Sequence, residues 1–240
     1  MRICILENDT LGPDLAPVGG RLADYYERLL RSAGGADWQY DAFNTMLSEY
    51  PASFAAYDAV VLTGGRADAF SAEPWVVRLR EKVSALLAER QKLVGICFGH
   101  QIIGFCLGAQ VGRAPAGWEM GCVTYHWHDR EGVFEVGDNG IALLASHQDQ
   151  VLSLPSGARL LASSATCPVA AFAVGDHVLS MQPHPELDDA FLRPLIHTRR
   201  DRLGETKFAD GLASLDRSHD GLVMGRMIMG FIGGGVLEIE

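Results

Sequence analysis

Cys97 stands in Gly95-Ile96-Cys97-Phe98-Gly99, between a short apolar run and a segment with helical spacing. Glycines two before and two after a nucleophile let the chain turn sharply from strand to helix without a Cβ clash. Such a turn lifts the central side chain above a sheet edge and sets it at a helix N-terminus, where negative charge, and so a thiolate, is favoured. A nucleophile needs a base. Gln182-Pro183-His184-Pro185-Glu186 follows the apolar run HVLSM. In extended backbone, residues two apart point to one side, and the residue before a proline is held extended. His184 and Glu186 therefore converge on one place, the imidazole as proton carrier and the carboxylate as its orienter. Acyl transfer also needs N–H donors for the oxyanion. Phe98, just after the nucleophile, is one. Thr63-Gly64-Gly65, closing another apolar run, offers a glycine backbone for a second.

Elements that could hold these groups are legible in the periodicities. Arg2–Glu7, Trp38–Phe43, Asp58–Leu62 and Leu93–Ile96 read as strands. Between them, 18–33 and Pro74–Arg90 read as amphipathic helices, the second with proline in its first turn. That β-α-β-β-α-β order predicts an α/β fold with a mostly parallel sheet flanked by helices. After Ala109 the rhythm changes to short β-like runs at Gly121–His126, Val133–Val136, Ile141–Leu144, Arg159–Ser163, Val169–Val174 and His177–Met181. From Asp188 the pattern returns to helix. Leu222–Ile232 reads first as a core-packing helix, second as an oligomer surface. With no repeat or linker, one domain over residues 1–240 is expected.

A formal charge of −10 argues against nucleic acid and anionic membrane as partners. No apolar run reaches membrane-spanning length, and the first residues lack the features of a signal peptide. The five cysteines have neither an even count nor CxxC spacing. They fit a reduced, cytoplasmic setting rather than a disulfide framework. Cys4, Cys106, Cys122 and Cys167 read as buried and inert.

GICFGHQ, LTGG, SHQDQV and PHPE occur in an order that resembles the class I glutamine amidotransferases. The stand-alone branch, similar to the glutaminase half of GMP synthase and including γ-glutamyl peptidases, is nearest in pattern. The resemblance covers nearly the whole chain. It implies a flavodoxin-like, mostly parallel sheet with an added small antiparallel β portion, a triad of Cys97, His184 and Glu186, and an oxyanion hole of Gly65 and Phe98. It also implies substrate contacts from Gln101, Ser146 and His147, on glutamine or a γ-glutamyl compound as substrate. Gln101 lies about one helical turn after Cys97, within reach of a pocket mouth. Where the family often has proline after the two glycines, this chain has Arg66.

No cofactor or metal is expected. Cys122, His126 and His128 share a strand face but lack a fourth ligand. His197–Arg202 reads first as the solvated side of a helix and second as a gate to the pocket or a docking point for a partner, His100 as a supporting residue, and SHQDQV as a loop. No P-loop is present, so an ammonia acceptor, if the chain serves one, sits on a separate synthetase subunit. Otherwise the chain is a free-standing γ-glutamyl hydrolase. Two other readings stay open: a non-catalytic regulatory module on the same fold, and a DJ-1-like redox or chaperone protein, which has no need of Glu186.

Overall fold

The computed structural model describes residues 1–12, 15, 19–128 and 140–234. Its strands are β1 (Arg2–Glu7), β2 (Gln39–Asn44), β3 (Ala59–Leu62), β4 (Leu93–Ile96), β5 (Val111–Arg113), β6 (Glu119–Trp127), β7 (Ile141–His147), β8 (Asp149–Val151), β9 (Arg159–Ser163), β10 (Ala171–Val174) and β11 (Val178–Met181). The helices are α1 (Leu22–Leu30), α2 (Pro74–Ala88), α3 (Phe98–Cys106), α4 (Asp189–Thr198), α5 (Arg200–Ser214) and α6 (Gly221–Gly233). The expected strand Val133–Val136 lies outside the described residues.

Among the described residues one nine-stranded sheet runs β2-β1-β3-β4-β11-β10-β9-β6-β7. From β2 to β11 every pairing is parallel. This is the flavodoxin-like order, with β11 taking the outer place beside β4. From β11 onward the pairings are antiparallel. The antiparallel portion thus continues the same sheet. β5 and β8 form a separate two-stranded ribbon.

Side-chain alternation sorts the parallel strands between two apolar layers. Ile3, Ile5, Val61, Val94 and Ile96 face α1 and α6 through Tyr26, Leu30, Met224, Met227 and Ile228. Cys4, Leu6, Val60, Leu62 and Leu93 face α2 and α3 through Val76, Leu79, Val83, Leu86, Phe98 and Ile102. β4 is buried at every position, as a central parallel strand must be. The C-terminal helix is accordingly a core element. A third cluster, around Leu144, Leu187, Phe191, Leu192 and Ile196, seats α4 against the antiparallel portion.

The segment read as a loop is largely strand. His147 ends β7, and Asp149–Val151 pairs with Val111–Arg113. Asp-Gln-Val carries turn-type residues, and only its partner strand, nearly forty residues upstream, makes it extended. Helix α1 is shorter than its periodicity suggested. It passes into a widened turn over Arg31–Gly35 in which Gly34 takes φ 125°.

The seam between β6 and α5 depends on one glycine. Gly121 has φ 109°, and a Cβ there would run into the Ser214 side chain and stand 3.0 Å from the Gly211 Cα. Gly121→Ala combines a disfavoured φ with overpacking, and it is expected to lower stability by about 1–3 kcal/mol or more. A chemical-denaturation midpoint at unchanged slope is the measurement; an unshifted midpoint would contradict this account of the seam.

Candidate active site

The C-terminal ends of β1, β3, β4 and β11 meet at one edge of the sheet, where open α/β sheets carry ligands. Cys97 leaves β4 with φ 52° and ψ −104°, a conformation outside the regions comfortable for a side-chain-bearing residue. The strain falls on Cys97 itself, and the flanking glycines make the room. A Cβ on Gly95 would meet the Ile103 side chain at 2.6 Å and the Gly99 carbonyl at 2.8 Å. One on Gly99 would collide with Leu62, so α3 packs directly on the end of β3. The turn is fixed by bonds from Cys97 N–H to Met181 O (2.9 Å) and from Gly99 N–H to Thr63 O (3.2 Å).

His184 follows β11 and is pinned by its own backbone, which donates to Leu144 O of β7 at 2.8 Å. Its Nδ1 lies 2.7 Å from Glu186 Oε1, and the ring also hydrogen-bonds the Cys97 side chain. The imidazole and the carboxylate are both buried. Burial disfavours the imidazolium, but the Glu186 carboxylate and the Cys97 sulfur outweigh it and hold His184 up at about 10. Gly64 gives the ring its space, since a Cβ there would stand 2.9 Å from His184 Cε1.

The Thr63-Gly64-Gly65 turn is stitched to the end of β1. Asn8 donates its N–H to Thr63 Oγ1 and its side-chain amide to Thr63 O, both at 2.9 Å. Among the described residues, no protein acceptor takes the N–H of Gly65 or of Phe98. Both sites are open donors beside Cys97. Gly65 must be glycine, because a Cβ would stand 2.9 Å from Asn8 O.

Cys97, His184, Glu186, Gly65, Gln101, Ser146 and His147 all line one cavity of about 420 Å³, a size usual for small-molecule sites. Gln101 spends its amide N–H groups internally, on Asp149 O (2.8 Å) and Gln182 Oε1 (3.1 Å). Ser146 Oγ accepts from the Arg199 guanidinium. His147 bonds Glu119 Oε2 at 2.9 Å through Nε2, and its Nδ1 is buried with no protein partner among the described residues. His100 is fully buried between Ser180 Oγ (2.7 Å) and Val169 O (3.2 Å), and burial pushes it down to about 3.

Three further groups reach the site in ways their sequence neighbourhoods do not fix. Tyr26, on α1, has the spacing of a core residue and is fully buried. Its hydroxyl nevertheless accepts the Gly64 N–H at 2.8 Å and lies close to Glu186. Burial, and then the Glu186 charge, keep it a neutral phenol. Arg66, in the family's proline position, forks onto Asp9 at 2.8 Å through both Nε and Nη2. Arg199 and Arg202, from the run read as solvated, line the cavity. Nothing in the spacing of HTRRDR marks them, because the inward turn comes from the break between α4 and α5.

Cys122 is buried under α5, whereas His126 and His128 are exposed, and the three do not gather around a metal. Glu119, His147 and Cys167 do lie within 4.8 Å of one another. Both Glu119 oxygens are occupied, however, by His147, Tyr125 (3.2 Å) and Thr166. Burial works against this carboxylate, but those donors outweigh it and hold it below its ordinary range. Hydrogen bonds thus commit the Glu119 carboxylate to its protein neighbours.

Residues 25–190 match the family described as Glutamine amidotransferase class-I. The chain is 35% identical over 195 residues to Gamma-glutamyl peptidase 3 of Arabidopsis thaliana, covering 78% of each. It is 30% identical over 179 residues to the GMP synthase [glutamine-hydrolyzing] of Aeropyrum pernix, covering 75% of this chain and 33% of that one. Among solved structures, a glutamine amidotransferase from Thermotoga maritima superposes with a TM-score of 0.77 at 21% identity, over 96% of this chain and 97% of the other. No helix among the described residues is long and apolar enough to cross a membrane.

Two outcomes follow from this geometry. His184 binds its proton more tightly folded, at about 10, than unfolded, at 6.5. Its contribution to stability is therefore complete below about pH 6.5 and lost as pH rises toward 10. The stability gap between wild type and His184→Gln, measured by urea unfolding, should shrink between about pH 6 and about pH 9.5; a gap that widens would reverse the assigned sign. Separately, Tyr26→Phe strands the buried Gly64 N–H and should cost about 1–3 kcal/mol, read in the same assay.

Proposed function

The chain belongs to the class I glutamine amidotransferase family, and from that premise we propose that it is a cysteine hydrolase cleaving γ-glutamyl amide bonds through a thioester on Cys97. The observation that carries this reading is the line from Glu186 through His184 to Cys97, with two open N–H groups beside the sulfur. In this mechanism the Cys97 thiolate attacks the γ-carbonyl carbon. The oxyanion is received by the N–H groups of Phe98 and Gly65. His184 passes its proton to the leaving nitrogen as the C–N bond breaks, leaving a γ-glutamyl thioester and a free amine. Water then attacks the thioester and yields one proton to His184. The C–S bond breaks, releasing the γ-carboxylic acid, which loses its remaining proton to solvent, and restoring the thiolate–imidazolium pair. Glu186 keeps the imidazole oriented throughout. One domain carries the whole cycle.

Gln101, Ser146 and His147 are the proposed contacts for the glutamyl end. Gln101 acts through its carbonyl oxygen, its N–H groups being engaged inside the protein. The relatives matched over 78% of both lengths are named γ-glutamyl peptidases, which supports a free-standing hydrolase over a subunit feeding ammonia to a synthetase. The 2.7 Å bond from Glu186 to His184 favours acyl transfer over a redox role for Cys97, which asks for no carboxylate behind a histidine.

The decisive test is hydrolysis of γ-glutamyl peptides, γ-glutamyl amines and glutamine by the isolated chain, with hydroxylamine present to intercept the thioester. Cys97→Ala should lose amine release by about a thousand-fold or more and give no hydroxamate. Undiminished turnover in that variant sinks the mechanism. Ammonia release from glutamine only when another protein is added would instead assign the chain to an amidotransferase complex.

A further inference from the structure

Four arginines line the cavity that holds Cys97: Arg66, Arg113, Arg199 and Arg202. Two are already neutralised. Arg66 forks onto Asp9, and Arg113 bonds both Asp68 and Asp149. Among the described residues, Arg199 and Arg202 have no carboxylate partner. The Arg199 side chain is half-buried, donates to Ser146 Oγ and lies over the Trp118 ring at 4.8 Å. Those contacts fix its direction without cancelling its charge. Burial pushes Arg199 down to about 10, with Cys97 and Asp9 acting against the shift and Arg202 and Arg66 acting with it. Asp9, a carboxylate close enough to act on it, is committed to Arg66.

A half-buried cation gives up part of its hydration, and without a counter-ion nothing in the protein replaces it. The chain has 30 acidic residues against 20 basic ones, so two adjacent unpaired arginines in the substrate cavity mark the seat of an anion from outside. A guanidinium fixed by stacking and one hydrogen bond keeps donors for a planar two-oxygen acceptor. We propose that Arg199, with Arg202 beside it, anchors a carboxylate of the substrate. The proposal rests on the acyl-transfer reading of the same cavity and adds a substrate class: γ-glutamyl compounds held by a carboxylate, on the glutamyl α-carbon or on the leaving amine.

Two substrate pairs separate these sources. γ-Glutamyl-glycine against γ-glutamyl-glycinamide varies the leaving side alone. γ-Glutamyl-methylamide against its α-carboxamide varies the glutamyl side alone. The wild type should prefer the carboxylate member of one pair in kcat/KM, and Arg199→Gln should reduce that preference about ten-fold or more. Arg199→Lys should keep part of it. Arg202→Gln, at an exposed position, should reduce it less and guards against a folding failure at Arg199. Loss of preference in the first pair puts the anchor on the leaving side, and loss in the second puts it on the glutamyl side. Absence of preference in the wild type, or an unchanged preference in both arginine variants, overturns the proposal. Thiol labelling of Cys97 in each variant separates this result from a failure of the nucleophile assignment, since an anchor variant should still be labelled.

Discussion

The backbone of Cys97 holds a positive φ that costs about 1–3 kcal/mol in a residue with a side chain. Such a conformation persists only where its surroundings leave no alternative. Here they do so on every side. β4 is buried between β3 and β11, so the chain cannot swing in the plane of the sheet. Gly99 lies against Leu62, and Gly95 against Gly99 and Ile103, so α3 cannot lift away without opening an apolar layer. The Thr63 carbonyl that receives the Gly99 N–H belongs to the same turn that presents the Gly65 N–H. One strained residue thus joins the strand end that carries the sulfur to the helix start and the turn that carry the open donors.

Charge is handled in two ways around that turn. Most buried ionic groups sit in closed arrangements: Glu186 with His184, Glu119 with His147, Asp9 with Arg66. Each leaves few polar atoms for a ligand, and each fixes a piece of backbone. His184 is held from behind by Glu186 and by the Leu144 carbonyl, so the ring has little freedom to leave the sulfur. Arg199 differs because its partners are a hydroxyl and an aromatic face, neither of which removes charge. The contrast separates groups that build the site from groups that still have something to bind.

What the sequence made legible follows from how local each signal is. The Gly-x-Cys-x-Gly turn, the HPE pair and the first four strands are encoded in short windows, where glycine, proline and apolar period act on neighbouring residues. The strand readings match the structure closely: β1 and β4 span the residues the apolar runs suggested. The Asp149–Val151 strand was invisible because its extended form is dictated by Val111–Arg113, far away in sequence. Tyr26 has the helical spacing of a core residue, and its polar duty arises only when α1 packs against the Gly64 turn. Arg199 sat in a charge run whose ordinary fate is solvent, and a break between two helices turned it inward.

The division of labour among elements bears on what can vary. The parallel half supplies the sulfur and the two open N–H groups, all fixed by packing with almost no slack. The antiparallel extension supplies the Leu144 carbonyl that pins His184 and the Ser146–His147 edge of the cavity. The α4–α5 break supplies the unpaired arginines and rests on the sheet through apolar contacts such as Phe191, Leu192 and Ile196. Substitutions at that break can change what the cavity holds without disturbing the strained turn, because among the described residues no backbone hydrogen bond links the two. In the proposed reading, chemistry and substrate choice are therefore carried by different layers of one fold. Members of the family can share the first while differing in the second.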